Sequence, residues 1–329
     1  MRQFPRLTSA LAAVALAGAG ALVTASTATA DEATRCIGTS GEVTVSGGLV
    51  VPAGRTCVLE GTTVEGRVQV NSGATLVVTD GTLDSRVQVD EEAYFDATGT
   101  TVGGNLVSNG AHGIYLDDVT IEGHFLGRGF EADSTFFYAH DSVIEGRIDA
   151  VAGEVYLEGA DVGKFVNTEG TTYTDLVDSS VARALTVADS TYGAVVCGSQ
   201  VEGSATFLGN NGVQVGTGQV LTQCQEGNEF GADLTIDANA GRIDVSDNDI
   251  AGDLTGADNT RWPTGSDNTV DGERADQFWY LRAGPPQVSP EDSARGDGEV
   301  RTPEAIDSER EERREDATEL AEELGSAGL

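Results

Sequence analysis

Hydrophobic and polar positions alternate along most of this chain in a phrase that keeps returning. An aliphatic or Phe residue is followed by one variable residue, usually Gly, one further residue, and then usually another aliphatic. It reads Val64-Glu65-Gly66-Arg67-Val68, Leu83-Asp84-Ser85-Arg86-Val87, Val102-Gly103-Gly104-Asn105-Leu106, Ile121-Glu122-Gly123-His124-Phe125 and Ile144-Glu145-Gly146-Arg147-Ile148. Weaker copies start at Val162, Val181, Val201, Phe230, Ile250 and Val270, in steps of 19, 19, 19, 23, 18, 19, 20, 29, 20 and 20 residues. A period held near 20 marks a solenoid whose repeats stack as coils. Within a coil, Val64 to Val70 alternates with period two, as a strand with one buried face does. Asn71-Ser72-Gly73 then turns the chain into a second strand, Thr75 to Val78, and Asp80-Gly81 turns it again. Asp117-Asp118 and Asp178-Ser179 repeat that scheme. Two or three short strands per coil, each paired with its equivalent about 4.8 Å away, predict an all-β parallel β-helix. Gly fills the third phrase position in seven of the eleven phrases, so a crowded corner or bend is expected there.

The flanking segments break the pattern. Residues 1–30 read as a signal peptide, with Arg2 and Arg6 before an apolar run from Ala10 to Val23 and a small-residue site at Ala28-Thr29-Ala30. Residues 31–61 are expected to cap the first coil, and 62–284 to form the solenoid. Phe278-Trp279-Tyr280-Leu281 is expected to close the far end of the core. From 285 to 329 the composition turns to Pro, Ser, Glu, Asp and Arg, which reads as a disordered acidic tail. Within it Thr302-Pro303-Glu304 can open a short helix ending near Leu324-Gly325, with a thin apolar stripe of Ile306, Ala317, Leu320 and Leu324.

Composition adds a compartment and a charge. A signal peptide implies secretion, and no later stretch reaches the roughly 18 apolar residues of a membrane span, so no membrane insertion is expected. Four cysteines allow three pairings, and stacking brings only sequence-near coils together, which favours Cys36–Cys57 and Cys197–Cys224. Zinc is the rival use of these thiols, but the close ligand pairs that it needs do not occur. The formal net charge is −35. Setting aside two arginines in residues 1–30, and five arginines and fourteen carboxylates after residue 284, still leaves −28 on the body. Such a surface repels nucleic acid. It suits either a well-hydrated exterior or the binding of cations or a basic partner.

The repeats, the signal peptide, the cap pair Cys36 and Cys57 around Val51-Pro52-Ala53-Gly54, and the closing run Asn259 to Gly272 resemble secreted parallel β-helix proteins of actinobacteria. More remotely, the phrases are similar to bactofilins. The first resemblance covers roughly residues 1 to 280 and implies a right-handed parallel β-helix whose role is undefined. It also implies a cysteine pair across the last coil, where this chain has Gln277.

Candidate chemistry lies on the outside. With Val64 inward, Glu65 and Arg67 face out, and stacking aligns them with Asp84 and Arg86, Glu122 and His124, and Glu145 and Arg147. These columns neutralise one another as surface pairs, or form a groove for a glycan. Lys164 and Arg183 break the glycine rule in neighbouring coils and extend that candidate glycan or anion site. If inward-facing they would need carboxylate partners such as Asp161, Asp178 or Asp189; a one-residue slip would put them outside. Asp244, Asp247, Asp249 and Asp253 form the densest acidic turn and a candidate calcium site, although neither the EF-hand nor the β-roll spacing is present. His112, His124 and His140 lie in different coils, and no catalytic set emerges. The expectation is a secreted, non-enzymatic scaffold or interaction protein of the cell envelope, its partners an envelope protein or a cell-wall or extracellular polysaccharide. The alternative is a carbohydrate-binding or pectinase-like polysaccharide-cleaving β-helix.

Overall fold

In a computed structural model, residues 33–129, 135–282 and 303–329 are described; the expected signal peptide lies outside them. The chain winds into twelve coils whose strands stack into three parallel sheets of 12, 11 and 12 strands, here A, B and C. The first coil contributes Thr34–Arg35, Gly38–Ser40 and Thr44–Val45, one strand to each sheet. Each later coil lies in register on the one before, as when Val68, Gln69 and Val70 pair with Val87, Gln88 and Val89. The expectation of two or three strands per coil resolves to three. The inward residues form one continuous core of Val, Leu, Ile and Ala, into which Phe95, Phe125, Phe137, Phe207 and Phe230 also pack.

The corners explain much of the composition. At the turn from sheet B to sheet C the backbone is left-handed in coil after coil. That position holds Gly61, Asp80, Gly99, Asp118, Asp141, Gly159, Asp178, Gly198, Asp247 and Asp267. Gly enters this region freely and Asp with modest strain. A side chain added at Gly99, Gly159 or Gly198 would strike the aspartate of the coil below. Part of the acidity is thus turn chemistry. The next residue inward forms a polar ladder. Ser199 N–H donates to Asn228, Asn228 to Asn248 and Asn248 to Asn268, always to the side-chain oxygen of the following coil. A second ladder at the A-to-B corner runs Ser190, Asn210, Asn239, Asn259. Gln277, standing where the resemblance implied a cysteine, completes it. Its Oε1 accepts from Asn259 N–H at 2.8 Å and its Nε2 donates back to Asn259 O. The recurrent third-position glycines lie at the C-to-A corner, where a Cβ at Gly66 or Gly104 would come within 2.5 to 2.8 Å of backbone in the preceding coil.

Two expectations are corrected. First, residues 31–61 are not a separate cap, since from Thr34 they are regular first and second coils. Second, in the closing segment Phe278 is fully buried and Leu281 packs against the core, but Trp279 and Tyr280 are more than half exposed. The short helix expected within the tail forms as Pro303–Leu324, here α1, and it is docked on the outer face of sheet B. Ile306 and Ala317 are buried, whereas Leu320 and Leu324 are exposed and Ala321 takes their place. Residues 283–302 lie outside the described residues. Both cystines form as expected, Cys36–Cys57 and Cys197–Cys224, with Cα–Cα distances of 5.6 and 5.7 Å.

Candidate functional site

Sheet B differs from its neighbours because its strands are buried on both faces. Gly113–Asp117, Phe136–His140 and Glu154–Glu158 alternate an aliphatic or Phe inward with an aromatic or acid outward. The outward Tyr94, Tyr115, Phe136, Tyr138, Tyr156 and Tyr173 pack into an aromatic ridge. Phe136 and Tyr138 stack within one strand with centroids 4.5 Å apart, and Tyr138 meets Tyr115 and Tyr156 of the adjacent coils edge-on at 6.3 and 6.2 Å. Farther along, the loop after Val213–Gly216 folds back onto the same face. Val220, Leu221 and Cys224 bury Val195 and Cys197, and Gln214 Oε1 accepts from Leu221 N–H at 2.7 Å. The second cystine staples that loop to the sheet.

Helix α1 seals the ridge over the early coils. Ile306 inserts among the aromatics, and Tyr115 donates to Asp307 at 2.7 Å. Four helical residues advance about 6 Å, little more than one step between stacked strands, so positions four apart meet successive coils. Arg310 therefore reaches Asp96 and Asp117, donating from Nε at 3.1 Å and Nη1 at 2.8 Å, while Arg314 reaches Asp96 and Thr79. Arg310 also lies 4.0 Å over the Tyr115 ring. The Asp96 side chain has no solvent exposure and accepts from Tyr94 at 3.0 Å in addition. Burial works against the Arg310 charge, but its bonds to Asp96 and Asp117 prevail and push its pKa further up. Burial and the neighbouring Asp96 push the Tyr94 hydroxyl up, so it stays a protonated donor.

A groove of about 1030 Å³ runs beside the helix, with Asp117, His140 and Asp141 on one wall and Glu311, Glu315 and Glu319 on the other. His140 stacks on Tyr115 at 5.0 Å and its Nδ1 lies 3.3 Å from Glu158. Hydrogen bonds from His140 and Tyr156 hold the Glu158 carboxyl below its ordinary range, against the effect of burial. The groove favours cations electrostatically. Among the described residues, however, no three His, Cys, Asp or Glu side chains converge as metal ligands.

The residues singled out from sequence are spread over other faces. Glu122 and Glu145 are exposed at the C-to-A corner, one coil apart. His124 accepts from Arg147 N–H through Nδ1 at 3.2 Å. Desolvation, then the charges of Arg147 and Lys164, hold its pKa below the ordinary value. Arg147 is paired with Asp149 at 2.6 Å rather than with Glu145. Lys164 and Arg183 are exposed without any slip of register, for Val162 still pairs with Ile144 and Val166 with Ile148. In the Lys164 coil the close approach moves to Gly163, where a Cβ would be 2.5 Å from Glu145 O. The four aspartates of the candidate calcium turn are distributed. Asp244 is buried against Ser246 and Thr264, Asp247 accepts from Thr217, Asp249 is exposed on sheet C, and Asp253 accepts from Glu273 N–H. Sequence reasoning missed the Asp96–Arg310–Arg314 cluster. Its only signal was an arginine pair spaced like the missing part of the helix's apolar stripe.

No helix among the described residues is long and apolar enough to cross a membrane. Comparison with known protein families, with curated proteins and with solved structures finds no match for this chain, so what stands is a parallel β-solenoid of twelve coils.

Proposed function

We propose that the protein is a secreted, non-enzymatic scaffold of the cell envelope. One observation carries this reading: the polar side chains recur with the coil period and are used in bonds between coils. Gln69 and Asn109 donate to Asp90 from the coils on either side, and Asn167 donates to Asp149 from the next coil, while Gln88 and Arg147 brace the same two carboxylates from within their own coils. Cleavage of a polysaccharide asks for two carboxylates converging on one bond. Glu122 and Glu145 instead repeat at the coil spacing, which stacking alone explains. Two cystines are consistent with an oxidising, extracellular compartment. The test is incubation of the purified protein with pectin, alginate and peptidoglycan; no depolymerisation is expected. Cleavage abolished by Glu122→Gln with Glu145→Gln would overturn the scaffold reading.

A second reading, carbohydrate binding, has its own support at the C-terminal end. Trp262, Trp279 and Tyr280 are 67%, 65% and 53% exposed, and Arg282 stacks 4.3 Å over Tyr280. Aromatic faces of this kind pack against sugar rings. A glycan array on wild type and Trp279→Ala decides it, since a glycan retained by wild type and lost by the variant would establish binding there.

A further inference from the structure

The N-terminal end of the solenoid leaves one strand edge open on each sheet, and the chain's own C-terminus pairs with the edge of sheet B. Thr34–Arg35, Gly38–Ser40 and Thr44–Val45 are each the last strand of their sheet, with no strand beyond them among the described residues. Open edges of this kind template further pairing. On sheet B the edge is taken by residues just beyond α1. Thr39 N–H donates to Gly325 O at 2.9 Å, Ala327 N–H donates to Thr39 O at 2.8 Å, and Ser326 bridges Thr39 in parallel. Ala327 and Leu329 pack against the end of the core.

The cover is built into the sequence at both contacting points. Gly325 takes a left-handed conformation (φ 80°), its N–H bonding Ala321 O, which ends α1 and turns the chain toward the edge. Gly38, at φ 97°, faces it, and any side chain there would collide with Gly325 O. The Arg310 and Arg314 contacts to Asp96 then hold the helix in place.

We infer that residues 303–329 are a cap that keeps this end from pairing with a second copy of the chain, and that undocking them yields a dimer joined first coil to first coil. A second copy is the partner that fits, for two reasons. Three strand edges arranged around one core end are matched in outline by another end of the same solenoid, related by a two-fold axis. Charge agrees as well. In a molecule of net charge −35, Arg35 and Arg55 balance Glu42 and Glu60 across residues 33–61, so two such ends do not repel. The docked helix carries ten carboxylates against three arginines, and would repel a second copy. The inference does not depend on the scaffold reading.

The test is sedimentation velocity of the full exported chain from low to high micromolar concentration. Wild type is expected to remain monomeric. Arg310→Glu with Arg314→Glu and Ala327→Pro should undock the cap, make α1 protease-sensitive and shift the protein to a dimer. Ala327→Pro alone, which removes one N–H at the chain's end and leaves the solenoid untouched, should give a weaker dimer. Adding Thr39→Pro, which removes the amide facing the open side, should restore the monomer. The inference is overturned by a dimeric wild type, by monomers whose α1 is protease-sensitive, by variants whose α1 stays resistant, or by a dimer indifferent to Thr39→Pro.

Discussion

The left-handed corner is the unit from which this molecule is made, and it explains why aspartate is so common here. Asp178 (φ 48°) occupies a site that in neighbouring coils holds Gly159 and Gly198. Asp178→Gly should leave stability within about 1 kcal/mol of wild type. Asp178→Val, which puts a β-branched residue in that conformation, should cost about 2 kcal/mol. Urea unfolding of both variants checks this, and equal losses would contradict the conformational argument. A second residue-scale expectation concerns His124. Its folded pKa lies below 6.5, so the folded state favours the neutral ring that accepts from Arg147 N–H. The associated stability is present above the unfolded pKa near 6.5 and is lost as pH falls through the lower folded value. An NMR titration should place the His124 midpoint below 6.5. A midpoint at or above that value would remove the linkage.

The elements were legible in the sequence to different degrees. Strands of sheets A and C show the period-two pattern and the glycine corner, and their positions followed from the phrase Val-x-Gly-x-Val. Sheet B was half read. Runs such as Phe136-Phe137-Tyr138-Ala139 are apolar on both faces because something covers the outside, as continuous apolar runs in parallel sheets imply. What covers them was hidden, because α1 uses arginines on its inner stripe. Ile306, Arg310, Arg314, Ala317 and Ala321 look polar until Asp96 and Asp117 are placed opposite. Lys164 misled for a related reason, since its corner position tolerates a side chain where Gly163 takes over the close approach; no such glycine precedes Arg183, which follows Ala182. The ladders are the elements' own test. Asn239 is fully buried, accepts from Asn210 N–H and donates to Phe207 O and Asp237 O. Asn239→Ala leaves those groups unpaired and should cost about 3 kcal/mol, read by thermal or urea unfolding. A loss below about 1 kcal/mol would show that the ladder contributes little net stability.

At the scale of the whole molecule, twelve coils form a rod that needs both ends closed. Phe278 and Leu281 close one, and the first coil is closed by residues that come last in the chain. The decisive contact is a carboxylate without solvent exposure, Asp96, held by two guanidinium groups. Removing a partner from a buried pair generally costs about 3–5 kcal/mol. Here the loss falls on α1, which can leave the sheet while the coils stay stacked. The central claim is that residues 303–329 are folded back onto sheet B and the first coil. Hydrogen–deuterium exchange of the full chain, followed by mass spectrometry of peptides from this segment and from residues 37–41, tests it most directly. The account predicts slow exchange in both peptides for wild type, and a joint rise in both for Arg310→Glu with Arg314→Glu, while core peptides of sheets A and C stay protected. Exchange of residues 303–329 at the rate of an open chain in the wild-type protein would contradict it.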